Sequence, residues 1–200
     1  MKLGIVGGTF DPIHVAHAYL MEECQQLLGL DQVLVIPNGD PPHKDEGVTC
    51  AAHRLAMVEL ALKDYPLLTV DSRETLREKP SYTVETLREL KVEAGKGVPL
   101  YFIVGADSLL TFPTWYQPEA ILQLATLVLF DRPGYRQREV EKARRFVEAK
   151  GGTVLTLDSL SLEISSTEIR RRIAAGESHR SFLHPRVYDY IHDQGLYGAR

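Results

Sequence analysis

The sequence predicts an α/β fold: a doubly wound parallel sheet of five or six strands with helices on both faces. Three observations carry that reading. Short apolar runs alternate along the chain with longer helical patterns, as strand–helix–strand units do. The strand-like runs are continuously apolar rather than alternating, which marks strands buried on both faces. The residues suited to chemistry cluster just after those runs, at Gly7–His17, Pro37–Lys44, Gly105–Asp107 and Arg132–Gly134. In such sheets ligands bind beyond the carboxyl ends of the strands.

Each element follows in order. "KLGIVG" is the first strand, and "VAHAYLMEECQQLLG" the first helix, with Leu20, Cys24, Leu27 and Leu28 expected on one face and Glu22, Glu23, Gln25 and Gln26 on the other. "QVLVIP" is the second strand, ended by the loop "PNGDPPHKDEG". A helix from about Thr49 to Lys63 buries Leu55, Val58 and Leu62. The strand "LLTVD" and the helix "TVETLRELKVEA" come next, then the strands "PLYFIVGA" and "TLVLFD". The amphipathic helix "REVEKARRFVEAKGG" precedes a last strand, "TVLTL". The result is a Rossmann-like order of elements in one domain, 1–200, in which about 158–200 forms a small helical subregion.

Composition narrows the function. The 200 residues hold 44% hydrophobic and 25% charged side chains, the proportions of a globular protein. Acidic residues outnumber basic ones, 27 to 23, for a net charge of −4. No basic excess exists to hold a polynucleotide backbone. No apolar run approaches the ~20 residues of a membrane helix, and the N-terminus lacks a secretory signal. Cys24 and Cys50 are too few and too far apart for a metal or redox motif, and both read as free thiols in the cytoplasm. The sequence does not fix whether the chain forms a homo-oligomer.

The first chemical motif is "GGTFDPIHVAH". Gly7 and Gly8 let backbone approach a ligand closely, and Thr9 adds a hydroxyl. Asp11-Pro12 favours a turn into the following helix. His14 and His17, three residues apart, project from one side of that helix's first turn. Unsatisfied N–H groups and the positive dipole end converge there and favour an anion. The stretch is neither a G-x-G-x-x-G fingerprint nor a Walker A loop. A zinc site would need a third ligand, and His43 has no local spacing to support it. A glycine turn with two helix-capping histidines is the structural alternative.

The second motif is "LEISSTEIRRRIAAG". Ser165 and Glu168 have capping-box spacing, and Ile164 and Ile169 are placed for a hydrophobic staple. Ile169 and Ile173 face a core. By itself the pattern also fits a capped surface helix with solvated arginines.

Together these motifs resemble the nucleotidyltransferase superfamily, with its "His-x-Gly-His" and "Ile-Ser-Ser-Thr-x-Ile-Arg" elements, and within it the bacterial nicotinate-nucleotide adenylyltransferases. "PPHK", "SYTVETL", "GADSLLTFPTWYQPEAIL" and "RPGY" resemble that branch too, so the likeness runs from Gly4 to about Tyr197. Ala16 departs from the pattern by replacing a glycine. The resemblance implies ATP contacts from Gly7, Gly8, Thr9, Phe10, His14, His17, Gly105, Asp107, Ile164, Ser165, Ser166, Thr167 and Arg170. His14, His17 and Arg170 are the implied catalytic residues, Arg170 neutralising the departing pyrophosphate, and the C-terminal subregion completes the ATP site. Arg171 and Arg172 read as surface charges. For nicotinate mononucleotide the resemblance implies Lys44, Tyr82, Thr83, Trp115, Tyr116 and Arg132. Trp115, the sole tryptophan, would stack on the pyridinium, against the alternative of a core tryptophan.

The expected reaction transfers AMP from ATP, as its Mg²⁺ complex, to nicotinate mononucleotide. The acceptor phosphate is already ionised, so positioning and charge compensation suffice. The alternatives are an adenylyltransferase preferring nicotinamide mononucleotide or phosphopantetheine, or a silent nucleotide-binding regulator. The expectation hangs on the opening loop and the late arginine helix meeting at one polyphosphate.

Overall fold

A computed structural model of the chain describes residues 1–39, 47–78, 80–95, 97–130, 136–160 and 162–199. Its strands are β1 (Leu3–Gly8), β2 (Gln32–Pro37), β3 (Leu68–Val70), β4 (Leu100–Val104), β5 (Thr126–Phe130) and β6 (Val154–Leu157). They form one six-stranded sheet in the order β3-β2-β1-β4-β5-β6. That is the 3-2-1-4-5-6 order of a doubly wound sheet, with its switch point beside β1. Leu3 pairs with Leu100, Tyr101 with Thr126 and Leu127 with Val154, all in parallel ladders. The helices among the described residues are α1 (Val15–Leu28), α2 (Ala51–Leu62), α3 (Thr83–Ala94), α4 (Ala106–Thr111), α5 (Pro118–Leu124), α6 (Gln137–Ala149), α7 (Ser166–Ala174) and α8 (Pro185–Asp193).

Two compact units share the chain. The first comprises 1–7, 23–34 and 81–161; the second 8–22, 35–80 and 162–200. In the first, Ile5, Phe102, Leu127, Val128 and Val154 line the interior of the sheet and Leu87, Ile121 and Val147 come from helices against it, all nearly inaccessible. A β-carbon on Gly4 would stand 2.7 Å from the Leu30 side chain, so the first strand needs glycine there to pack. In the second unit, α8 packs on α2, with the Tyr190 hydroxyl 2.8 Å from His53 Nδ1. Arg186 adds an ion pair to Asp64 at 2.7 Å.

The helical periodicities locate the long helices to within about three residues, but not every buried stripe. On α1 the inward residues are Ala18, Met21 and Cys24, whereas Leu27 is exposed. On α2 the interior position belongs to Arg54, fully buried, rather than to Leu55, half-buried. The short helices α4, α5 and α8 carry too few turns to display a period in sequence. Cys24 is sealed in the interior, and burial pushes its thiol up from 9.0 to about 12.

Candidate active site

The opening loop belongs to the second unit. Gly8 ends β1, and its carbonyl accepts the Asn38 N–H at 2.9 Å. A β-carbon there would stand 2.9 Å from the Phe10 ring, so the ring lies against bare backbone and glycine is required. Phe10 itself has φ 50°, a left-handed conformation that a side chain disfavours. Phe10, Asp11, Ile13 and His14 are all buried, which anchors the turn before α1 begins. Arg54 fixes the loop from beneath: its guanidinium donates to the carbonyls of Thr9 at 2.8 Å, Thr49 at 2.8 Å and Gly39 at 3.2 Å. The expected set of site residues misses Arg54. The signal was present, since a basic residue interrupts the stripe Ala51–Arg54–Met57–Val58–Ala61 where only apolar residues belong.

The two histidines stand together. Their rings stack with centroids 3.7 Å apart and planes 19° apart. His17 Nδ1 accepts the His14 backbone N–H at 3.3 Å, and the Phe10 ring meets His17 edge-on at 5.3 Å. A neutral imidazole that accepts through Nδ1 carries its proton on Nε2. The capping role and the anion-binding role are therefore compatible: one nitrogen closes the helix start and the other is a hydrogen-bond donor. His14 is 6% exposed and His17 half-buried, so His17 is the more accessible of the pair. Ala16 is only 3% exposed, which packs its methyl inside the unit rather than on the open face of the loop.

Helix α7 reaches the same loop. The Ser166 hydroxyl donates to the Pro12 carbonyl at 2.9 Å, and Arg170 Nη1 donates to the Asp11 carbonyl at 2.6 Å. These bonds span more than 150 residues and bring the first turn of α7 to the turn that precedes α1. Ser165 caps α7, accepting the Glu168 N–H at 3.2 Å. Only half of the expected capping box forms, because the Glu168 carboxylate turns to Arg171 at 2.9 Å and Arg172 at 2.7 Å. Those guanidiniums pull its carboxyl down to about 2. Arg171 also bridges to Glu177, so Arg171 and Arg172 brace the helix. Ile169 and Ile173 are buried as expected. Ser165 and Thr167 are exposed beside the first-turn amides, and Ile164 and Arg170 are half-buried.

The first unit gathers a different group. Thr83 opens α3, with Tyr82 as the preceding residue, and the first amides of a helix have no intrahelical acceptor. The Tyr82 and Tyr116 rings lie 4.6 Å apart, and both are exposed. Trp115 is half-buried, its indole N–H 3.3 Å from the Thr111 hydroxyl and its ring against Phe112 and Phe102 at 5.4 and 6.1 Å. It is neither a core tryptophan nor a loose one: its edge is anchored and its ring is partly open. Gly105 and Asp107, at the start of α4, are exposed, as is Gly7 near the end of β1. Lys44 and Arg132, and His43, lie outside the described residues.

Asp11 is committed to structure. It is 4% exposed, and its carboxylate accepts the Thr49 N–H at 3.2 Å and the Tyr197 hydroxyl at 2.6 Å. Among the described residues no three His, Cys, Asp or Glu side chains are grouped to hold a metal ion.

Known proteins resemble this chain in sequence and in fold. Residues 5–172 match the model of the cytidylyltransferase-like family. The chain is 41% identical, over 206 positions covering 96% of it and 97% of the relative, to the nicotinate-nucleotide adenylyltransferase of Escherichia coli (strain K12). In fold it is similar to a Plasmodium falciparum nicotinic acid mononucleotide adenylyltransferase complexed with NaAD, with a TM-score of 0.81. That likeness covers 100% of this chain and 98% of the other at 20% identity, and so speaks to the fold alone. The same Plasmodium enzyme complexed with APC gives a TM-score of 0.79.

Proposed function

The chain belongs to the cytidylyltransferase-like family, and from that premise we propose that it transfers AMP from ATP to nicotinate mononucleotide. The products are deamido-NAD and pyrophosphate, and the reaction serves NAD biosynthesis. A phosphate oxygen of the mononucleotide attacks the α-phosphorus, and the bond to the β-phosphate oxygen breaks. No proton has to leave the acceptor. What the protein must supply is alignment and donors for the charge that builds on the α-phosphate and the leaving group.

The observation that best supports this reading is the pair of bonds from α7 to the opening loop, Ser166 to Pro12 and Arg170 to Asp11. They gather the histidines, the first-turn amides of α7 and the Arg170 guanidinium in one unit. In our assignment Gly8, Thr9 and the first-turn amides of α7 with Ser165, Ser166 and Thr167 hold the triphosphate. His17 Nε2–H donates to the α-phosphate, His14 supports it, and Arg170 neutralises the departing pyrophosphate. The segment from about 158 onward thus completes the ATP site. Gly105 and Asp107 serve the nucleoside side. Trp115 receives the pyridinium, and the Thr83 and Tyr116 amides take the nicotinate carboxylate.

Nucleotidyltransferases of this kind use a divalent metal with ATP, and we take it to be Mg²⁺. The ion would arrive with the ATP phosphates and supply charge compensation there, and the Asp11 carboxylate, which already accepts from Thr49 and Tyr197, is not assigned to it. The ion would screen charge between the two anionic substrates. No helix among the described residues is long and apolar enough to cross a membrane. We assign the enzyme to the cytoplasm.

A pyrophosphate-release assay with nicotinate mononucleotide, nicotinamide mononucleotide and phosphopantetheine tests the function. Turnover should be fastest with the first; preference for either of the others overturns the acceptor assignment. ATP binding without pyrophosphate release would leave only a nucleotide-binding regulator.

A further inference from the structure

We propose that Tyr197 is a positioning residue for the ATP side of the reaction, acting through Asp11 on Arg170; this rests on the assignment of Arg170 to the phosphates. Asp11 is where three parts of the second unit converge. Its carbonyl accepts from Arg170 at 2.6 Å, one carboxylate oxygen from the Tyr197 hydroxyl at 2.6 Å, and the other from the Thr49 amide at 3.2 Å. The backbone at both ends of the Tyr197–Asp11 bond is in an unfavoured conformation. Tyr197 has φ 58° and Phe10, the residue before Asp11, has φ 50°. Side-chain-bearing residues stay in that region only when their surroundings over-determine them.

The chemistry of the pair suits a fixed latch. Asp11 is nearly sealed from water, so its carboxylate oxygens rely on protein donors for their hydrogen bonds. Tyr197 remains a donor at all working pH values, because burial first, and its bond to Asp11 second, push the phenol up. Its hydroxyl also lies 4.0 Å from Met57 Sδ, between the C-terminal turn and α2. Removing the hydroxyl alone leaves the carboxylate with the Thr49 N–H as its remaining donor among these bonds. The side chain then rotates toward water and carries the Asp11 peptide plane with it. That plane holds the carbonyl on which Arg170 rests. The consequence falls on phosphate alignment rather than on acceptor recognition, since the relay ends on Arg170, which is assigned to the ATP phosphates, and none of its members is assigned to the mononucleotide.

The test uses the full chain with Tyr197→Phe, Asp11→Asn, Asp11→Ala, Arg170→Ala and the double variant Tyr197→Phe/Arg170→Ala. Tyr197→Phe should lower kcat/KM for ATP roughly five- to tenfold, the worth of one buried hydrogen bond, and leave the mononucleotide KM within about twofold. Asp11→Asn keeps an oxygen for one donor and sets its amide against the other, so it should fall between wild type and Asp11→Ala, whereas Asp11→Ala should fall at least as far as Tyr197→Phe. In the Arg170→Ala background the tyrosine change should cost little more. Unchanged ATP parameters in a folded Tyr197→Phe, an equal shift for both substrates, Asp11→Asn as impaired as Asp11→Ala, or full additivity with Arg170→Ala each overturns the relay. Full activity in Arg170→Ala itself would refute the phosphate assignment instead, a different and separable failure.

Discussion

His17 turns its Nδ1 to the backbone N–H of His14, 3.3 Å away, and so commits its ring to the tautomer protonated at Nε2. A ring used in this way needs no positive charge to serve as a donor. His17→Ala should therefore lower kcat roughly 10²–10³-fold, the usual loss for one transition-state donor. Near wild-type turnover in a folded variant would remove His17 from the mechanism. Nitrogen-15 NMR of the wild type near neutral pH should find the proton on Nε2.

Arg170 is held at the loop by the Asp11 carbonyl. Its replacement by alanine should reduce kcat by roughly 10²-fold or more, with a smaller change in the mononucleotide KM. Lysine keeps the charge but not the planar fork, so Arg170→Lys should recover only part of the loss. Steady-state rates with each substrate varied in turn distinguish these outcomes.

Trp115 is anchored by its indole N–H to Thr111 and left half open. Stacking of a pyridinium on such a ring is worth roughly 1–2 kcal/mol. Trp115→Ala should therefore raise the mononucleotide KM by about five- to thirtyfold while the ATP KM stays near wild type. An unchanged acceptor KM would reject the stacking role.

Two buried features control the loop's stability. Gly8→Ala places a methyl against the Phe10 ring and should cost about 1–3 kcal/mol, as overpacking does. Arg54→Met strips hydrogen bonds from the carbonyls of Thr9, Gly39 and Thr49 at a fully buried position. It should cost more than about 3 kcal/mol in urea unfolding. A loss under about 1 kcal/mol would show that water takes over those carbonyls.

Cys24 makes a pH prediction. Burial raises its thiol from 9.0 to about 12 in the folded chain. The folded value exceeds the unfolded one, so the stabilisation is fully present below about pH 9 and is lost as pH rises toward 12. Unfolding measured at pH 8 and pH 10.5 should show this loss in wild type and less of it in Cys24→Ala. Iodoacetamide should label exposed Cys50 in the native protein and Cys24 only after unfolding.

The local sequence determined the elements and much of the chemistry. Continuous apolar runs announced the strands, and periods near 3.6 announced the long helices. Glycine, turn and cap residues marked His14, His17 and the start of α7, because those signals are written within a few neighbouring positions. Tertiary structure decided what no short window contains. Arg54 reads as a flaw in an apolar stripe until the carbonyls of Thr9 and Gly39, 45 and 15 residues earlier, are brought to it. Tyr197 reads as part of a C-terminal tail until it meets Asp11, 186 residues earlier. The physical reason is common to both. Propensity and periodicity are local energies, whereas a buried polar group takes whichever partner the packed chain delivers, and only folding brings that partner within reach.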